Sequence, residues 1–98
     1  MFDDVIKLDD KAIQSLLKEV SSDVLIVALK GAQPELKEKF LANMSSRAAE
    51  SLREDLESRG PMRLSEVEAQ QKEILKTVRR LADEGTIVLG GGGDDAMV

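Results

Sequence analysis

Apolar residues recur along this chain at spacings of three and four, the period that places side chains on one face of an α-helix. The clearest such run follows Asp9 and consists of Ile13, Leu16, Leu17 and Val20. Asp9 is a suitable N-cap, because its carboxylate can accept a backbone N–H of the first turn. A short helix or turn is predicted ahead of this helix, from Phe2 to Leu8.

The next run is apolar at every position from Val24 to Leu29. A helix that is apolar nearly all round is typical of a buried, central position. A buried strand is the alternative interpretation of so short a run. The pair Lys30-Gly31 favours a helix that ends there, and Ser22 is a suitable N-cap for its beginning.

Two further helices are predicted between residues 34 and 60. Pro34 suits the first turn of one of them. Its buried face is predicted to consist of Leu36, Phe40, Leu41 and Met44. The other helix runs from about Ser46 to Ser58, with Ser45 as its cap, and the Gly60-Pro61 pair ends it.

The longest helix is predicted to begin at the capping-box pair Ser65 and Glu68 and to run to about Glu84, with Gly85 as its stop. Its inner stripe consists of Leu64, Val67, Ile74, Leu75, Val78 and Leu81. Gln71 falls within that stripe, so we expect it to be hydrogen-bonded or to lie beyond the packed edge.

The pattern as a whole predicts an all-α domain, a compact armadillo-like bundle of about six helices, over residues 1–89. Thr86 to Leu89 is expected to pack on the body as a short apolar extension. Residues 90–98 are rich in Gly and Asp, and a segment of that composition is expected to be a disordered tail.

Composition supports one helical domain and narrows its chemistry. The chain has 98 residues, enough for one domain, and only 2% of them are aromatic, so the core must be aliphatic. It has 14 basic and 19 acidic residues, a net charge of −5 with mixed signs, which does not favour a nucleic-acid partner. It has no Cys and no His, so the common catalytic bases and nucleophiles and the thiolate metal sites are absent.

These observations argue against an enzyme and give no reason to expect a cofactor or a metal. No apolar run approaches the ~18 residues of a membrane span, so direct membrane insertion is not expected. The start of the chain also lacks the pattern of a signal peptide. The absence of Cys fits a cytoplasmic protein.

The helix predicted for residues 46–58 carries an unusual exposed face. Steps of 100° per residue place Arg47, Glu50 and Glu54 opposite the apolar side, with Asp55 at one edge and Arg53 at the other. A basic residue near a helix N-terminus and a like-charge i,i+4 pair both disfavour the helix slightly. On spacing alone an ordinary solvated face is favoured; the alternative is a ridge that binds a charged partner.

Two further basic residues lie at the ends of elements. Lys30 is expected to interact with the carbonyl end of its own helix, which is the favoured interpretation. Arg63 follows the Gly60-Pro61 pair and is expected to be a solvated loop charge.

Five stretches of the sequence resemble the C-terminal domain of the flagellar motor switch protein FliG. They are LDDKAIQSLLKEV (8–20), ALKGA (28–32), KEKFLANMSSRAA (37–49), RGPMRLSEVE (59–68) and VRRLADEGTIV (78–88). The order of these motifs is specific to that family, and the resemblance extends from Phe2 to about Gly90.

The resemblance implies a six-helix, armadillo-like domain of the rotor, in the ring on the cytoplasmic side of the bacterial inner membrane. Its partner would be the cytoplasmic loop of a MotA-type stator subunit, which drives a charged helix to generate torque. Other switch subunits would bind chiefly to regions outside these 98 residues. The family's charged positions fall on Lys30, Arg47, Glu54, Asp55 and Arg63, and relatives have Asp where this chain has Glu54.

The resemblance makes the binding ridge the favoured interpretation for Arg47, Glu54 and Asp55, and it supports Lys30 and Arg63 less. One alternative is a generic helical scaffold that binds its partner in an apolar groove. The other is a small hydrolase or ion-binding domain, which the missing His and Cys make less favourable.

Overall fold

The computed structural model describes residues 2–88 and shows five α-helices preceded by a 3₁₀-helix. The 3₁₀-helix spans Phe2–Lys7. The α-helices are α1 (Asp10–Glu19), α2 (Ser22–Lys30), α3 (Pro34–Ala42), α4 (Ser46–Ser58) and α5 (Leu64–Asp83). No strand occurs within residues 2–88, so the predicted all-α class is confirmed. The tail predicted for residues 90–98 lies outside the described residues.

Side-chain caps begin three of the helices. The Asp9 carboxylate accepts the backbone N–H of Ala12 at 2.8 Å, and the Ser45 hydroxyl accepts that of Ala48 at 3.2 Å, as predicted. The cap of α2 is Ser21, not Ser22, and its hydroxyl accepts the N–H of Val24. Each cap satisfies one of the N–H groups that a helix leaves unpaired in its first turn.

Helix α2 is the central element of the fold. It buries Leu25, Ile26, Ala28 and Leu29, and its largest interhelical contact is with α5. The alternative of a buried strand is therefore wrong, and the helical interpretation is confirmed. Burial on nearly every side explains the absence of polar residues between Asp23 and Lys30.

The beginning of α5 differs from the prediction. The helix begins at Leu64, and Arg63 takes the cap position without a side-chain hydrogen bond. The Arg63 carbonyl accepts the N–H groups of Glu66 and Val67 at 3.0 and 3.1 Å, so Ser65 already lies inside the first turn and cannot cap it. Leu64 is 69% exposed, and the buried stripe of α5 therefore begins at Val67.

The rest of α5 follows the predicted pattern. Its buried residues are Val67, Ile74, Val78 and Leu81. Gly85 has a φ of +81°, the left-handed conformation that commonly follows a helix and that glycine adopts without steric cost. Beyond it, Ile87 is buried in the core while Val88 is exposed, so the predicted packing of this extension is confirmed at Ile87.

One core, aliphatic except for Phe2 and Phe40, joins all six helices. The largest fully buried side chains are Phe40, Ile13, Leu16, Leu29, Leu36 and Ile74. No polar side chain among the described residues is buried without a hydrogen bond. Gln71 is half-buried and donates its side-chain amide to the Ala28 carbonyl at 3.1 Å, so its expected hydrogen bond is confirmed.

Candidate functional site

Helix α4 lies at the edge of the fold and contributes little to the core. Leu52 is its one buried residue. Ala48, Ala49 and Leu56 on the same face are half-buried, and the helix packs on α2 and α3. The apolar face predicted for this helix is therefore confirmed, and the remainder of its surface faces solvent.

Helix α4 exposes six charged residues, and we call four of them the α4 ridge. They are Arg47, Glu50, Glu54 and Asp55, and all four are exposed. Among the described residues none lies within ion-pairing distance of these four side chains. The ridge thus presents one cation near the N-terminus of the helix and carboxylates further along, all free to meet another molecule.

Arg53 lies at the edge of the ridge that faces α3, and its charge is already paired. Its guanidinium donates two hydrogen bonds to the Glu38 carboxylate, at 2.9 and 3.0 Å. This bidentate bond lowers the pKa of Glu38 below its ordinary value and raises the pKa of Arg53. Arg53 therefore ties α4 to α3 and leaves the opposite edge, with Asp55, open.

Lys30 has a different position from the one expected. Its ammonium does not interact with the carbonyls of its own helix but crosses to the C-terminal end of α4. There it donates hydrogen bonds to the carbonyls of Leu56 at 3.2 Å and Arg59 at 3.1 Å. The predicted partner contact of Lys30 stays a prediction.

Arg63 lies in the segment that joins α4 to α5, at the cap position of α5. It is exposed, and no hydrogen bond joins its side chain to the rest of residues 2–88. The structure thus connects Lys30 to α4 directly, places Arg47, Glu54 and Asp55 on one helix, and leaves Arg63 on the adjoining loop.

A shallow groove of about 400 Å³ lies beside the N-terminal end of α4. It is lined by Gln14, Leu17, Lys18, Asn43, Met44, Ser45 and Ala48. Its apolar residues are all half-buried. Two of its polar residues are hydrogen-bonded: the Gln14 side-chain amide donates to the Asn43 side-chain oxygen, and the Asn43 side-chain amide donates to the Asp10 carboxylate. The groove offers a small, partly apolar surface to a partner.

The described residues contain neither a metal-binding cluster nor a membrane-spanning helix. No cluster of three or more carboxylates among residues 2–88 is arranged to hold a metal. None of the described helices combines the length and apolarity needed to cross a bilayer.

One protein family matches almost the whole chain. The family described as "FliG C-terminal domain" matches residues 1–89. The chain belongs to this family. The resemblance seen in the five sequence motifs is thereby confirmed over the whole of the described fold.

Curated relatives of the FliG family match the full chain. The flagellar motor switch protein FliG of Pseudomonas aeruginosa is 57% identical over 98 residues, which is 100% of this chain and 29% of that protein. The protein of the same name from Vibrio cholerae is 53% identical and covers 99% of this chain and 28% of its own length. The chain spans less than a third of these relatives. Their name describes a motor part, in agreement with the expectation that the chain is not an enzyme.

Solved FliG structures share the fold. A crystal structure of FliG residues 116–343 from H. pylori has a TM-score of 0.88 and 39% identity, covering 91% of this chain and 39% of that one. Full-length FliG from Aquifex aeolicus has a TM-score of 0.83 and 44% identity, covering 86% of this chain and 26% of that one. The helical arrangement described above is thus that of FliG C-terminal domains.

Proposed function

We propose that this domain is a rotor component of the bacterial flagellar motor and that the α4 ridge receives force from the stator. The partner is the cytoplasmic loop of a MotA-type subunit, and the domain sits in the ring on the cytoplasmic side of the inner membrane. Membership of the FliG C-terminal domain family supports the rotor assignment. The observation that carries the rest is the free, exposed charge of the ridge.

The arrangement suits transient contact. Exposed ion pairs each contribute only about 0.2–1 kcal/mol, so a complementary loop that meets Arg47, Glu54 and Asp55 is released as readily as it is bound. Long-range attraction between opposite charges speeds encounter more than it strengthens the complex. A rotor that must take many steps needs this combination. The domain itself performs no chemistry, because ion flow through the stator supplies the energy.

Charge reversal tests the proposal. Arg47→Glu and Asp55→Lys, singly and together, are placed in the switch protein of a cell that lacks its own copy, and swimming speed is measured. We expect slowed swimming from each single variant and a larger loss from both, with normal circular dichroism of the purified chain. Complementary reversals in the stator loop should restore part of the loss.

A matched control moves two charges on a different helix. Glu68 and Lys72 are exposed on α5, four residues apart, and exchanging them keeps the net charge of the domain and the i,i+4 spacing of the two opposite charges. This exchange should leave swimming unchanged. If the Arg47→Glu, Asp55→Lys double variant also swims normally, the ridge does not transmit torque.

The groove supports a second candidate, a scaffold that holds a partner through apolar contact. Leu17, Met44 and Ala48 line it. Under this function Met44→Gln weakens the partner interaction while the charge reversals have no effect. The proposed function predicts the opposite result for both sets of variants.

A further inference from the structure

Lys30 is bound at a place where its charge has a structural use. Leu56 belongs to the last turn of α4 and Arg59 is the residue that caps it. Carbonyls at the end of a helix have no partner within the helix, and together they carry a partial negative charge. The Lys30 ammonium donates hydrogen bonds to both carbonyls, at 3.2 and 3.1 Å, and its positive charge offsets that partial negative charge.

The backbone of Lys30 is held in place by the core. Lys30 is the last residue of α2, directly after the fully buried Ala28 and Leu29. Lys30 is half-buried, and its ammonium donates two of its three protons, one to the carbonyl of Leu56 in α4 and one to that of Arg59, which caps the helix. Little of this cation is left for a molecule outside the domain.

Helix α4 has few other attachments near its C-terminus. Its one buried side chain, Leu52, is in the middle of the helix, and the Arg53–Glu38 pair holds the side that faces α3. After Ser58 the chain is no longer helical until Leu64. The turn that follows Glu54 and Asp55 is therefore held by Leu56, which is half-buried and packs against the core, and by the two hydrogen bonds from Lys30.

We propose that Lys30 is a positioning residue, whose ammonium fixes the C-terminal turn of α4 and so the direction in which Glu54 and Asp55 face, without itself touching the partner. The effect on motility rests on the proposed function of the ridge. The effect on α4 does not, because it depends only on hydrogen bonds inside the domain.

Hydrogen exchange of the 98-residue chain tests the structural step. The Arg59 N–H donates to the Asp55 carbonyl at 3.1 Å and reports on the last turn of α4. Lys30→Met keeps the aliphatic stem and removes the donors. We expect exchange at Arg59 to become about tenfold faster, because hydrogen bonds from charged donors are among the stronger ones.

Two references separate a local from a global effect. The amide of Ile74, in the middle of α5, should exchange at the wild-type rate in Lys30→Met. Lys72→Met removes an exposed lysine that has no hydrogen bond within residues 2–88, and it should change neither amide. An unchanged Arg59 amide in Lys30→Met, or equal acceleration at Ile74, would overturn the proposal.

Motility separates positioning from contact. Lys30→Met and Lys30→Glu should both slow swimming, and the stator-loop reversals that restore Asp55→Lys should restore neither. Recovery of Lys30→Glu by a stator reversal would show that the lysine meets the partner, and the proposal would fail. If the ridge reversals themselves have no effect on swimming, the proposed function fails, while the exchange of Arg59 still decides the role of Lys30.

Discussion

Gly31 lies so close to Val67 that a Cβ atom at residue 31 would stand 2.6 Å from the Val67 Cγ1. The same atom would be 3.2 Å from the Nε2 of Gln71, the group that binds the Ala28 carbonyl. The turn after α2 thus needs glycine because α5 approaches its backbone closely, and not because of an unusual φ angle.

Gly31→Ala should destabilise the domain by about 1–3 kcal/mol, the usual cost of overpacking a well-packed contact. In a domain of this size each kcal/mol lowers the melting temperature by roughly 4–8 °C. Gly60→Ala is the matched control, because a Cβ at Gly60 would meet nothing within 4 Å. The added cost of Gly31→Ala should shrink in a Val67→Ala background, since the clashing methyl group is then absent.

Gln71→Met should lower the free energy of unfolding by about 0.5–1.5 kcal/mol, because it removes the donor to the Ala28 carbonyl. The value should fall near the lower end, since that carbonyl also accepts the Gly31 N–H at 3.3 Å. Urea unfolding measures the difference. Gln70→Met is the control, as the neighbouring glutamine is half-buried without a hydrogen bond to the described chain; equal losses from both would contradict a specific role for Gln71.

The Arg53–Glu38 pair should make stability depend on pH. The guanidinium hydrogen bond lowers the folded-state pKa of Glu38 below its ordinary 4.5. A carboxyl whose pKa is lowered by folding stabilises the folded state when the pH is above the pKa of the unfolded state. This stabilisation is lost as the pH falls through the pKa of the folded state. Wild type should therefore melt above Glu38→Gln at pH 7, and the gap should close in acid below the lowered pKa.

High salt provides an independent check on the same pair, because both side chains are about half-exposed and exposed charges are screened. The gap between wild type and Glu38→Gln at pH 7 should narrow in 1 M NaCl. A gap that stays constant with both pH and salt would mean that the glutamine variant loses packing and not charge.

Ser45→Ala should weaken the first turn of α4. Loss of the cap is expected to lower the free energy of unfolding by about 0.5–2 kcal/mol. The Ala48 N–H, which donates to the Ser45 hydroxyl at 3.2 Å in the wild type, should exchange faster. Ser46→Ala is the control, because Ser46 is exposed and has no side-chain hydrogen bond to the described residues. Equal exchange at Ala48 in both variants would argue against a capping role for Ser45.

Local signals in the sequence were sufficient for most of the fold. Asp9 and Ser45 could be recognised as caps because the bond they make spans three residues. The prediction that Leu64 belongs to the buried stripe is wrong, because periodicity alone does not say where the α5 face leaves the core. The prediction that Ser65 caps α5 is also wrong, because the extended backbone at Arg63 determines where the first helical hydrogen bond forms.

The sequence predicts those features of the candidate surface that lie within one helix. It does not predict the hydrogen bonds that join two helices. The free charges of Arg47, Glu54 and Asp55 follow from helical periodicity. The bond from Lys30 to Leu56 spans 26 residues and that from Arg53 to Glu38 spans 15. Such contacts depend on how helices pack, and no local pattern of charge distinguishes them from solvated side chains.

The single buried residue of α4 also determines how freely its surface can change. Leu52 is fully buried and Ala49 and Leu56 pack beside it on the core, while Lys30 binds backbone carbonyls, which are present whatever the side chains are. The identities of residues 47, 50, 54 and 55 can therefore be altered with little loss of stability. A domain built in this way can accept a different pattern of charges on one helical face while the rest of its fold stays the same.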